Sequence, residues 1–462
     1  MIRLETDHLV PVAALARYPA MLLASTGRPL GSLVIVFAAV AALVGCGSDH
    51  HHGDHGQTGT LDATFGAGGS VLIDYGTDRY DYAMAVAIQS DGKVVVGATS
   101  CDSVFPGCAF ALARLHPDGR LDRSFGLEGR VTTRLGPTGG AQAQALALQP
   151  DGKIVVAGHT NDDPKFGNPS SFALARYEAN GTLDVAFGDG GGVVTRPRNT
   201  TSDELSAEFA SVAVQPDGKI VAAGSIFAPF FPPRARAAVV RYEPDGSLDL
   251  TFGTDGLATS LLDRETFGSA AVLQRSGRIV VAGNFGDEPA DHWLLLGFTP
   301  AGRLDAGFGD EGVVLTDIGA TTAIVSLALA ADDGLVVASS TQVRRYDARG
   351  GLDPRFATFT APRSLTIRSV AIGADGTVVA AGPAGSPTDA FDGYGVARLR
   401  TDGTPDARFG DGGLAITPNG FITDDARVAV TVQPSSDVVV ATLQPIEERA
   451  DADVLLFRLR GR

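Results

Sequence analysis

ALALQPDGKIVVAG at 145–158, FALARYEANG at 172–181 and LDVAFG at 183–188 are three phrases within 44 residues of one another, and their reading decides the fold. The first is an apolar run, an Asp-Gly turn and a second apolar, β-branched run. Glycine takes a positive φ at little cost and the preceding Asp accepts hydrogen bonds from the turn backbone, so this pattern reads as a tight β-hairpin. The second phrase places apolar side chains on one face of a further strand and stops at Asn-Gly, another tight turn. The third follows that turn and leads into a short Gly-Val-Val-Thr run at 192–195, a fourth strand.

The same three phrases recur along the chain. Copies of the third stand at 61–66, 121–126, 183–188, 248–253, 304–309, 352–357 and 405–410, so their starts lie 48 to 65 residues apart. The hairpin phrase recurs at 85–97 and 211–224, and in looser form at 273–283, 329–339, 372–382 and 432–442. The strand ending in a Pro-Asp-Gly type of turn recurs at 110–119, 238–246 and 394–403. Nearly everything after residue 60 is therefore one four-stranded antiparallel unit repeated seven times.

A four-stranded sheet with two apolar faces buries them only by stacking on copies of itself. An all-β, seven-bladed β-propeller is the expected architecture. A linear solenoid would need polar capping units at both ends, and the sequence shows no distinct caps. The repeat starts out of phase with the blade: the chain begins with a fourth strand at 61–74 and ends with a third strand at 454–460. Residues 61–75 are thus expected to pair with strands near 428–432, 438–442 and 453–460, completing the last blade.

The signatures at 121–126, 149–158 and 172–184 resemble those of the delta-60 repeat family, and the resemblance runs over roughly 60–460. What it implies is a scaffold, because the shared positions are turn and core positions rather than a catalytic set. Two departures stand out: Ala357 replaces the second glycine of its motif, and Ser435, Ser436 and Asp437 replace Pro-Asp-Gly.

Upstream, the apolar stretch 30–44 follows Arg28 and runs into Leu43-Val44-Gly45-Cys46. It is short for a membrane span and suited to a signal-peptide core. The ending resembles a bacterial lipobox, so residues 1–46 are expected to be a signal peptide, with Met21 an alternative start and Cys46 the lipidated residue. Gly47 in place of Asp favours an outer-membrane address. Residues 47–59 read as a flexible tether carrying His50, His51, His52 and His55, half of the 8 histidines in the chain. They would hold a divalent transition metal only weakly, for want of a fixed second shell, and a polar spacer is the plainer reading. Residues 60–462 form the propeller.

Cys101 and Cys108 bracket one short connection between neighbouring strands and are expected to form a disulfide in an exported chain. A net charge of −16 argues against a nucleic-acid partner. The sequence holds no nucleophile elbow, zinc-helix, P-loop or dinucleotide motif. Function is expected on the loops that vary between repeats. One of them, 225–236, carries Phe227, Phe230 and Phe231 among prolines, with Arg234 and Arg236 following; these rings would meet a partner or turn inward to plug the channel. Another, 284–295, carries Trp293, the single tryptophan, which either binds a sugar beside Asp287, Glu288, Asp291 and His292 or packs in the core. The expected role is a lipid-anchored binding or scaffolding module of the cell envelope, with the membrane and an envelope protein or glycan as partners and no cofactor. The alternative is a propeller glycan hydrolase or lyase with acids around the central channel.

Overall fold

The computed structural model describes residues 58–461 apart from 77–78, 103–106, 137–139, 162–169, 197–205, 229–233, 261, 287–291, 318–322, 386–390, 419–425 and 447–450. Among the described residues there are 28 strands and no helix. They form five antiparallel sheets of four strands and one sheet of eight. A representative sheet runs Ala141–Leu148, Ile154–Asn161, Ser170–Tyr177, Gly192–Thr195 in both chain and spatial order.

The turns form as their composition dictates. At 89–93, Gln89 N donates to Lys93 O (2.8 Å), Asp91 Oδ1 accepts from Lys93 N (3.1 Å), and Gly92 takes a φ of 82°. Second and third strands are buried on both faces in most sheets, as in Val94–Asp102 and Cys108–Leu115, which explains their unbroken apolar reading; Gln342–Tyr346 is the exception, only partly buried. The first strand is bent by a register shift at the same place in five sheets, between Ala83 and Ala85, Ala143 and Ala145, Phe209 and Ser211, Gly268 and Ala270, and Ile324 and Ser326.

The cores lie between sheets, not within them. Val155, Phe172 and Leu174 of one sheet share a cluster with Phe209, Ile220 and Val240 of the next. Val95, Phe110 and Leu112 pack in the same way on Ile154, Val156 and Ala173. Burying side chains of this size contributes about 1.5–3 kcal/mol each, and none of it is available to a sheet standing alone.

The eight-stranded sheet contains the first and the last of the described strands. The strand Ser70–Ile73 pairs antiparallel with Asp451–Leu459, Ser70 opposite Phe457 and Ile73 opposite Val454. Phe65, Ile73, Val94 and Val96 share one core cluster with Val439, Ala441, Val454 and Leu456. Residues 61–69 are turns with isolated bridges, Leu61 to Leu459 and Ala67 to Ser70, so the first continuous strand is shorter than the sequence suggests. Upstream of it, Gly59 N donates to Arg460 O (2.8 Å) and Arg460 N to Thr60 O (2.9 Å). Those bonds reproduce Gly181 N to Glu178 O and Glu178 N to Thr182 O, both 2.8 Å, in the unbroken chain. The turn that other repeats make from five consecutive residues is assembled here from Gly59 and Thr60 on one side and Arg460 on the other.

Candidate functional site

Charged residues of the repeat are spent on holding sheets together. Arg176 Nε donates to Asp184 Oδ2 (2.7 Å), its guanidinium lies 4.5 Å from the Phe187 ring centroid, and Nη1 donates to Pro244 O in the next repeat. The arrangement recurs with Arg114, Asp122 and Phe125, with Arg241, Asp249 and Phe252, and with Arg398, Asp406 and Phe409. Backbone bonds run alongside: Gly126 N donates to Asn180 O, Gly188 N to Asp245 O and Gly253 N to Ala301 O. Hydrogen bonds from Ser124 and the charges of Arg114 and Lys93 overcome burial and hold Asp122 down at about 2. Asp184 and Asp249 are lowered likewise against the upward pull of burial, chiefly by Lys153 and Lys219 respectively. These carboxylates are ionised structural anchors.

The Asp-Gly turns and these staples occupy one end of the sheets. The other end carries the connections from second to third strand and from fourth strand to the next sheet, which differ in every repeat. There, one position near the end of the second strand sews three sheets to their neighbours. Thr99 Oγ1 accepts from Ala143 N (2.9 Å), Ser225 Oγ from Gly268 N (3.1 Å) and Asn284 Oδ1 from Ile324 N (2.9 Å). The equivalent residue in the sheet between those of Thr99 and Ser225 is His159. Its side chain is 10% exposed, its Nδ1 has no hydrogen-bond partner, and that atom stands 3.8 Å from Glu208 Oε2.

Burial, reinforced by the positive charge of Arg427, pushes the His159 imidazole down to about 4. Burial raises the Glu208 carboxyl, while Arg427 opposes the rise. Arg427 enters from the segment preceding Ala429–Val432 and is exposed. A neutral imidazole and a carboxyl that gives up its proton reluctantly, with a guanidinium in range, can exchange hydrogen bonds with hydroxyls and attract an anionic group. The sequence signal was present but faint: an imidazole where three other repeats have Thr, Ser or Asn.

Apolar surface adjoins this group. Glu208 lies opposite Ser225 and Ser206 opposite Phe227, so the 225–236 connection leaves the sheet beside Glu208. Phe227 is half-buried, with its ring 6.3 Å from that of Phe267 on the next sheet. Arg236 Nη1 donates to Ser260 O (2.9 Å), which ties the far side of the connection down. Arg234 is in the strand Arg234–Tyr242. Phe230 and Phe231 lie outside the described residues, as do Cys46, His50, His51, His52 and His55.

Trp293 is 1% exposed in the strand His292–Phe298, packed with Val280, Leu295 and Phe308 beneath the Arg344 guanidinium. It offers no ring face to a ligand. Cys101 and Cys108 form a disulfide across neighbouring strands.

Four stretches, 89–125, 149–187, 215–252 and 373–409, match the family described as "Domain of unknown function (DUF5122) beta-propeller". No curated protein matches the chain. Among solved structures, the chain is similar to the polysaccharide lyase Uly1, with 9% identity, 82% of this chain and 90% of that one covered, and a TM-score of 0.48. It is also similar to the β-propeller domain of the Trilobed protease from Pyrococcus furiosus, at 10% identity over 83% and 94% of the two chains with a TM-score of 0.41. PorZ, a surface component of the type-IX secretion system of Porphyromonas gingivalis, aligns at 10% identity over 81% of this chain and 46% of that one, with a TM-score of 0.44. The chain is built of β-propeller repeats.

Proposed function

We propose that the chain is an exported, lipid-anchored propeller of seven delta-60-type blades, closed by its N-terminal strand, that binds a glycan or protein of the bacterial cell envelope. The observation that carries the binding reading is the buried, unpartnered Nδ1 of His159 facing Glu208 within the field of Arg427, at the end of the sheets where Phe227 also meets Phe267. Aromatic faces next to polar groups whose hydrogen bonds are not spent suit a sugar ring or an amphipathic segment of a partner. The staple carboxylates, by contrast, are already committed. The pairing of Ser70–Ile73 with Asp451–Leu459 supports closure, and the disulfide supports export. Lipidation at Cys46 rests on the Leu-Val-Gly-Cys sequence, and a loose metal on the four tether histidines on their density.

The catalytic alternative has one observation in its favour. His159 and Glu208, 3.8 Å apart, are suited to moving a proton to or from a sugar hydroxyl or ring carbon, as a glycan hydrolase or lyase requires.

The test is a glycan array carrying peptidoglycan fragments and acidic polysaccharides, probed with the native chain and with one whose 226–233 connection is replaced by Gly and Ser. Retention by the native chain alone, without product, is the expected result. Release of shortened or unsaturated glycan that disappears in H159Q or E208Q would make the protein an enzyme instead. Membrane fractionation of C46S tests the anchor: wild type should pellet with the envelope and the variant should not.

A further inference from the structure

Three carboxylates from three strands meet where the ends of the chain come together. Asp74 follows the strand Ser70–Ile73, Asp81 is in Arg79–Ile88, and Asp453 is in Asp451–Leu459. One oxygen from each lies within 4.8 Å of the others. A single parallel bridge, Tyr80 to Ala452, sets Asp81 and Asp453 side by side. The repeat does not demand this. Equivalent places at the next two junctions hold Arg134, Ala141 and Ala109, then Arg196, Ala207 and Ser171.

Gathering like charges on adjoining strands is destabilising by itself. Arg79 is committed elsewhere, donating from Nε to Ser100 Oγ (2.7 Å) and pairing with Asp102. Arg130 reaches the backbone oxygen of Asp74, not its carboxylate. Asp74 Oδ1 accepts from Gly76 N (2.7 Å) and Asp81 Oδ2 from Tyr75 N (2.9 Å).

A second, separate observation is the other oxygen of Asp81. Asp81 is 0% exposed, and its Oδ1 has no hydrogen-bond partner. The Tyr75 hydroxyl beside it is likewise buried without a partner. A buried carboxylate oxygen left without a donor costs on the order of 1–3 kcal/mol or more unless something positive meets it.

We propose that Asp74, Asp81 and Asp453 bind a hard divalent cation, with Ca2+ the best match, which ties Ser70–Ile73 and Arg79–Ile88 to Asp451–Leu459. All three donors are oxygens and the set carries three negative charges, which selects Ca2+, Mg2+ or Mn2+ over metals that favour nitrogen and sulfur. Two Ca–O bonds of about 2.4 Å span the observed spacing, whereas Mg2+ at about 2.1 Å needs a tighter cage. Bound there, the cation neutralises the repulsion and supplies the missing partner for Asp81.

The experiment uses the full chain in detergent, stripped with EDTA and returned to Ca2+, Mg2+ or neither. Thermal melting and Tb3+ luminescence sensitised by Tyr75 and Tyr80 are the readouts. The wild type should melt higher with Ca2+, in a saturable way. D81N and D453N should lose that shift and bind Tb3+ at least about tenfold more weakly, ligand charge being what tunes such sites. Asp189→Asn, at an exposed acid in another repeat, should keep both. D453N carries the result if D81N fails to fold. Identical melts in Ca2+ and EDTA with no Tb3+ signal, or an unchanged Ca2+ response in D453N, would overturn the site. So would a D81N chain that melts higher than a Ca2+-insensitive wild type, since the buried carboxyl would then simply be protonated.

Discussion

Arg458 donates from Nε (2.9 Å) and Nη2 (2.5 Å) to Oδ2 of Asp62, a residue 396 positions earlier in the chain. Its guanidinium lies 4.9 Å from the Phe65 ring centroid, and Nη1 continues to Pro117 O (2.6 Å). The staple that Arg241 makes with Asp249, Phe252 and Pro300 inside one repeat follows the same plan, with Lys219 added on the Asp249 carboxylate (2.8 Å). Removing one partner of a buried pair strands the other, at about 3–5 kcal/mol. R458M should therefore lose more unfolding free energy in urea than R241M, because Lys219 stays paired with Asp249 (2.8 Å) when Arg241 is gone. A loss below about 1 kcal/mol for R458M alone would mean that the terminal strand frays and contributes little.

Positions that repeat were legible because their physics is local. Asp-Gly turns, β-branched strands and the Asp of each motif act within a few residues of themselves, so each copy announces the same contact. Arg278 shows the limit. Its repeat has Gly297 where the others place the staple arginine, yet Arg278, standing at the Lys153 position, donates to Asp305 Oδ2 (2.7 Å) and Ala348 O (3.0 Å). The contact survives from a different strand. The candidate site was less legible still. His159, Glu208 and Arg427 are brought together by blade packing over separations that no local pattern encodes, whereas Trp293, whose place at the start of a third strand favoured the core over a sugar site, is 1% exposed.

The Cys101 to Cys108 bond closes a loop of 7 residues' separation. Chain entropy assigns such a crosslink about 2.5 kcal/mol. C101S/C108S, or the wild type under reductant, should unfold at correspondingly lower urea with an unchanged slope. An unchanged midpoint would show that the connection is already held by the pairing of Ser100 with Ala109 and of Thr99 with Phe110.

Glycine at the end of the LDxxFG motif is required by conformation and by space. Gly309 takes a φ of 56°, and a Cβ there would lie 2.3 Å from Val313 O. Left-handed geometry alone costs about 1–2 kcal/mol for a residue with a side chain, so G309A should lose at least that in urea unfolding. Ala357 fills the same place in the next repeat, is absent from the positive-φ residues, and still donates its N–H to Asp402 O (2.7 Å). A357G should gain nothing from the motif glycine, because the turn around it has already taken another path. A stabilised A357G would mean instead that the alanine is strained.

Two buried groups should give the stability profile opposite slopes in the same pH range. His159 falls from 6.5 to about 4 on folding, so the unfolded chain takes up its proton first. Stability is then lost as pH drops from about 6.5 toward 4, by on the order of 3 kcal/mol. Asp81 rises from 3.8 to about 6, so the folded chain holds that proton more tightly. Its contribution is complete below 3.8 and disappears as pH climbs through 6, again by on the order of 3 kcal/mol. Glu208, also raised, acts in the direction of Asp81. Asp122, held at about 2, changes only in stronger acid. In EDTA the wild type should therefore be nearly flat between pH 4.5 and 6. H159Q should become less stable as pH rises over that interval, and D81N more stable. Urea midpoints at three pH values separate the cases. Parallel profiles for wild type and H159Q would place the imidazole in contact with solvent in the folded protein, and with it would go the argument that its unpartnered nitrogen is reserved for a ligand.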